Sequence, residues 1–260
     1  MTADRNSRPD APDVARRVLI LKLQFIHSVM SPPLEVVSRM RANWSRKDLE
    51  QFIEKMDEGR ARLIDKMRAD GLWEDTSPSE RQFFEASVER VTHQQRVNAS
   101  WRLESIHCLA WSLGLISHIP PYDTKTDPEK LLGLIPVEPA EFIRSARLRP
   151  ESEISSARDV AELWHWRSRT RQLQEQGYRP KTGHTSLDAI VREVAPRAAA
   201  DGTIPTPIDG DFPALGRAYR DLSANEWALL QSIALERHFA LNWLSGYAPG
   251  GEWDATPTET

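Results

Sequence analysis

Apolar positions recur along most of this chain at the three-to-four-residue spacing of helices, and no segment sustains the strict alternation of a half-buried strand. Val14, Val18, Leu21, Phe25 and Val29 set out a first helix from Asp13, which Pro32-Pro33 stops. The run from Leu21 to Phe25 alternates locally, but it has no neighbouring strand to pair with, so helix is the reading. Helices are predicted next over about 34–44 and 48–69, the second ending at Asp70-Gly71. Thr76 to Glu80 is a start signal, with Pro78 in the first turn and Glu80 just inside it; Phe83 and Phe84 follow. A long apolar helix is predicted over 94–118, ended by Pro120-Pro121. Residues 121–150 are punctuated by proline and allow short helices at best. Further helices are predicted over 151–176 and 186–200, each followed by a glycine-bearing stop. The stretch 202–213 is a loop by its Gly, Pro and Asp content, and the last helix runs from the cap residue Ser223 to about Tyr247. The fold class expected is all-α, as one multi-helix domain over 13–260 behind a disordered tail over 1–12.

A chain of 260 residues buries about three quarters of its unfolded surface, so a sizeable core is available. Its 34 basic and 38 acidic side chains give a net charge of −4, with the signs interspersed. No basic block points to nucleic acid, and no basic amphipathic helix points to a membrane surface. No apolar run reaches the ~18 residues of a bilayer span, and the first residues are polar rather than signal-like. Cys108 is the single cysteine, which excludes a disulfide framework and a cysteine zinc site. These features lead to the expectation of a soluble, cytoplasmic protein whose partner is a small molecule or another protein.

Polar side chains set into the apolar helices are where chemistry would lie, because each costs roughly 1–3 kcal/mol if buried without a partner. On the helix around 101–118, a wheel places Glu104, His107, Trp111 and His118 within about 60°. On the next long helix, Trp164-His165-Trp166 precedes Arg169, which shares a face with His165 and would grip an anion with it, or pair with an acid such as Glu104 or Glu236. On the last helix, Gln231, His238, Asn242 and Ser245 form a polar stripe, while Glu236 and Arg237 fall in apolar sectors as expected for buried, paired charges. Trp253 and Asp254 follow a Pro249-Gly-Gly251 hinge that lets the tail return to the core. The candidate binding network is therefore Glu104, His165, Arg169, Glu236, Arg237, His238, Asn242, Trp253 and Asp254.

The alternative is a metal-dependent enzyme. Glu104-x-x-His107 and Glu162-x-x-His165 repeat the spacing that lets a carboxylate and an imidazole meet one ion in helical di-iron bundles, with Glu236 as a further ligand. No phosphate-binding loop, nucleophile elbow or His-Glu-x-x-His motif is present, so no catalytic residue is assigned and no cofactor is expected beyond that metal alternative.

Trp101-Arg-Leu-Glu104, Leu109-Ala-Trp111-Ser-Leu-Gly-Leu115, Asp159, His165-Trp166 and Arg169 resemble a bacterial domain of unknown function, family 4272. The likeness continues through Asp211-Phe-Pro, Glu236 to Leu244, and Trp253-Asp254 to Thr258-Glu-Thr260, over most of 14–260. It implies a helical cytoplasmic protein and supplies no activity. His107 and Glu162 fall where that family tolerates apolar residues, which weighs against the metal alternative.

Overall fold

A computed structural model describes residues 8–136, 138–180 and 186–260. Its regular elements are almost all helices: α1 (Ala11–Met30), α2 (Leu34–Asn43), α3 (Arg46–Ala69), α4 (Pro78–Glu85), α5 (His93–Ser112), α6 (Pro128–Leu134), α7 (Pro139–Ser145), α8 (Glu151–Glu175), α9 (Leu187–Ala200) and α10 (Ala224–Leu244). The only sheet among the described residues is a two-residue hairpin, β1 (Pro213–Ala214) against β2 (Arg217–Ala218), inside the stretch expected to be loop and its continuation. Short 3-10 turns at Pro249–Gly251 and Trp253–Ala255 follow α10.

Four long helices stack in a row. α1 packs on α5, α5 on α10, and α10 on α8. A helix flanked on two sides must be apolar on two sides, which explains why α5 and α10 carry no clean polar face. Their inner residues, such as Leu103, Ile106, Leu109, Ile233, Ala240 and Leu241, are fully or nearly fully buried in one continuous core. α7 leans on α1, α9 on α8, and α3 joins the body through α4. No helix among the described residues is long and apolar enough to cross a membrane.

Helix starts follow local chemistry. Ser77, Thr92 and Ser223 each close a capping box with the acid or amide three residues on. Asp10 does the same with Asp13, so α1 begins at Ala11, two residues ahead of the expected boundary. Arg8 extends this ordered start, donating to Ser245 O at 3.2 Å and pairing with Glu151. It lies against Gly246, whose φ of +80° already favours glycine and whose missing Cβ would stand 2.9 Å from Arg8 Cγ. Residues 1–7 of the expected tail lie outside the described residues.

α5 departs from expectation at its end. It stops at Ser112, and the chain turns through Gly114 at φ +74°. His118 therefore lies on a loop, not on the helical face with Glu104, His107 and Trp111.

Candidate functional site

The polar side chains flagged on α5, α8 and α10 are gathered at the helix contacts, but they sort into separate groups. Glu104 and Arg237 form the innermost pair, both fully buried. Arg237 Nε donates to Glu104 Oε2 at 2.9 Å, and Nη2 lies 2.9 Å from the same oxygen. Glu104 also accepts from Thr126, backbone N at 2.8 Å and Oγ1 at 2.9 Å. The remaining guanidinium hydrogens go to the carbonyls of Pro120, Pro121 and Thr124 at 2.6, 3.1 and 2.8 Å. This satisfies a buried ion pair in full, the condition under which one is tolerated. His107 Nδ1 lies 3.2 Å from Thr126 Oγ1, and burial, reinforced by the Arg237 charge, lowers this imidazole to about 4.

Glu236 belongs to a second group. Its carboxylate accepts from Arg102 at 3.0 Å and Ser105 Oγ at 2.9 Å. Arg102 in turn lies over the rings of Phe239 and Trp253 at 4.8 and 5.7 Å. Trp253 does fold back as the hinge suggested, meeting Phe239 and Trp243 edge-on with ring centres 4.7 and 5.2 Å apart. Asp254 goes elsewhere. It caps the start of α4, accepting from Ser79 N at 2.8 Å and Ser79 Oγ at 2.7 Å.

A third group is His165 with His238, whose Nδ1 atoms are 3.0 Å apart. A hydrogen bond of that kind needs one Nδ1 to carry a proton and the other to be bare, so at least the accepting ring is neutral. Burial first, then the Arg169 charge, lowers His165 to about 4; burial, His165 and Arg158 lower His238 to about 3. Arg169 is exposed and bonds to Gln172, not to Glu104 or Glu236. It shares a small cleft of about 340 Å³ with His165, Gln231 and Thr258 to Thr260. Asn242 forms the last group, donating to Pro257 O at 2.8 Å and accepting from Arg158 Nε at 2.9 Å, so it fastens the tail to α10 and α8.

The five metal-candidate residues do not meet. Glu104, Glu162 and Glu236 each face an arginine, respectively Arg237, Arg158 and Arg102, and His165 faces His238. Among the described residues no group of three or more His, Cys, Asp and Glu side chains is placed to hold a metal ion. Cys108 is sealed in the core, and burial pushes its thiol up to about 12, so it is no nucleophile.

Two buried pairs escaped the sequence reading. Arg167 grips Asp211 with two bonds of 2.6 and 2.7 Å, and Arg17 meets Glu80 at 2.6 Å. Burial alone would raise Asp211, but hydrogen bonds and charge from Arg167 more than offset it and hold the carboxyl low. Arginine inside an otherwise apolar helical stretch is the available signal, and the sequence reading applies it to Arg169 and Arg237 but not to Arg167 or Arg17.

A concave feature also lies beside these groups, and of its lining the sequence reading places only Trp111, His118 and Trp164 among its candidate groups. A cleft of about 590 Å³ lies between the C-terminal end of α5, the middle of α8 and two loops, 117–123 and 203–213. Trp111, Tyr122 and Trp164 furnish its aromatic walls, with Ala157 and Val160 of α8 between them. Tyr122 stacks flat on Trp164 at 5.4 Å and 5°, while Arg237 lies 5.0 Å over Tyr122. The innermost ion pair thus sits directly behind the cleft wall and holds the carbonyls of the loop that builds it. Ser117, His118 and Pro121 are exposed at the rim. The volume and the apolar, aromatic lining are those of small-molecule sites.

Residues 8–183 match the family model described as Domain of unknown function (DUF4272), so the chain belongs to that family. The matched span contains α5, α8 and their side of the cleft, and stops before Asp211 and the α10 residues on which the resemblance also rested. No curated protein and no solved structure matches the chain.

Proposed function

We propose that this protein is a binding module without catalytic chemistry, whose site is the aromatic cleft between α5 and α8. The observation that carries the reading is the cleft itself: about 590 Å³ with aromatic and aliphatic walls and a frame fixed by the Glu104–Arg237 pair. Concave apolar surface that the fold holds open is costly unless something fills it, which is why such clefts are the default ligand sites. Most of the polar groups first suspected of chemistry are held by hydrogen bonds or ion pairs within the protein, His238 Nε2 and Trp253 Nε1 being buried without one, and this supports the role of a scaffold rather than that of an acid, base or metal ligand. A mixed-charge surface and a single free, buried cysteine support a soluble, cytoplasmic setting for this role.

The test uses N-phenyl-1-naphthylamine, a neutral dye that brightens in apolar sites. The expected result is saturable fluorescence at one equivalent, abolished in Ala157→Phe, whose ring would project from α8 into the cleft while the circular dichroism and Tm stay near wild type. No saturable signal, or an identical signal in Ala157→Phe, would refute the assignment.

A further inference from the structure

We infer that the ligand of the aromatic cleft is an organic cation: one ammonium group carried on a compact apolar body. The inference rests on the reading of the cleft as a ligand site and adds its charge. Of the residues described as lining it, Asp123 is the single Asp, Glu, Lys or Arg. Its carboxylate accepts from Leu215 N at 2.9 Å and Thr124 Oγ1 at 3.3 Å, which fixes its position. It makes no ion pair with a described residue, whereas Glu104 is paired with Arg237 and Glu153 with Arg149. An oriented carboxylate without a counter-ion, set beside low-dielectric surface, attracts a positive group.

The walls point the same way. Trp111, Tyr122 and Trp164 line the cleft with π systems, which favour ammonium over anionic groups wherever a ring face is free; Tyr122 and Trp164 spend one face on each other. Arg149 and Arg237 do lie over Trp111 and Tyr122, at 5.1 and 5.0 Å, but both guanidinium charges are matched by the carboxylates just named. An anionic ligand would meet Asp123 with no free arginine or lysine among the lining residues to offset it.

Three near-isosteric probes separate the charge from the shape: 4-phenylbutylamine, 4-phenylbutanol and 4-phenylbutanoate, titrated calorimetrically at pH 7. The amine should bind at least about tenfold tighter than the alcohol, and the butanoate more weakly than either. Asp123→Asn keeps a carbonyl oxygen for the Leu215 amide and removes the charge; it should bring amine and alcohol within about twofold of each other. Alcohol or butanoate binding as tightly as the amine overturns the inference on the wild-type protein alone, even if the variant fails to fold. A preference that survives in folded Asp123→Asn overturns it too. Binding by none of the three, together with failure of the neutral dye, overturns the cleft assignment itself and this inference with it.

Discussion

Removing the Glu104 carboxylate is the sharpest perturbation of the core. In Glu104→Ala the Arg237 guanidinium keeps three backbone carbonyls but loses its counter-charge, while Thr126 loses the acceptor for its amide and its hydroxyl. Both side chains of the pair are fully buried, so water cannot take over. Breaking a buried pair from one side costs about 3–5 kcal/mol, and the stranded Thr126 groups push toward the top of that range. For a chain of this size, about 2–4 °C of Tm per kcal/mol gives a fall of roughly 6–20 °C. Scanning calorimetry, with urea unfolding at unchanged m-value, reads it directly. Pairing Glu104→Met with Arg237→Met should cost less than the sum of the single changes, with a coupling of at least about 2 kcal/mol. Glu236→Ala supplies the contrast: its pair with Arg102 is 13% and 18% exposed, and a loss of only about 1–3 kcal/mol is expected. A Tm within 2 °C of wild type for Glu104→Ala, or additive Met substitutions, would refute the reasoning.

Acid should weaken the fold through its neutral imidazoles. His238 is held near 3 in the native chain against an ordinary 6.5, so as pH falls below 6.5 the unfolded chain takes up a proton that the native chain refuses. Stability is thus fully present above pH 6.5 and drains away toward pH 3, with roughly 2 kcal/mol lost at pH 5 from this fully buried ring. The loss of urea midpoint between pH 7 and 5 should be smaller in His238→Gln, with His165 and His107 keeping their share; an equal pH loss in the variant would contradict this. Asp254→Ala should cost about 0.5–2 kcal/mol and speed amide exchange in the first turn of α4, because it strips the cap from Ser79; unchanged exchange there would argue against the cap. Cys108 should resist a thiol-specific disulfide reagent until the chain unfolds, and rapid labelling of the native protein would show that its burial is wrongly placed.

Periodicity made the helices legible because each long one buries at least one continuous apolar stripe, and caps such as Ser77 and Ser223 announce themselves within four residues. α8 and α9 end within a residue of expectation for the same reason, Gly177 and Gly202 marking the exits. Gly114 carries the same kind of exit signal, yet the apolar Leu115 and Ile116 beyond it carried the prediction on to residue 118. That error put His118 on a helical face it does not share. Glu104, Arg237 and His238 stood out because charge or imidazole on an all-round apolar helix demands a partner. Who the partner is depends on distance in space, so Arg237 could be flagged while its bond to Glu104, 133 residues away, could not. The cleft was invisible for a related reason: Trp111, Tyr122, Trp164 and Pro213 come from four separate segments and share no spacing.

The tie between the Glu104–Arg237 pair and the 120–126 segment has a kinetic consequence. Surface loops ordinarily open at low free energy, but this one hangs by three carbonyls and one amide from two side chains that water cannot reach. Detaching it means dissolving the α5–α10 contact, so its amides should exchange on the timescale of the core helices. A wall held that firmly leaves an arriving molecule no slow rearrangement to wait for. Observed association rates should therefore climb in direct proportion to ligand concentration, with no plateau, as for a mould cast before the metal is poured.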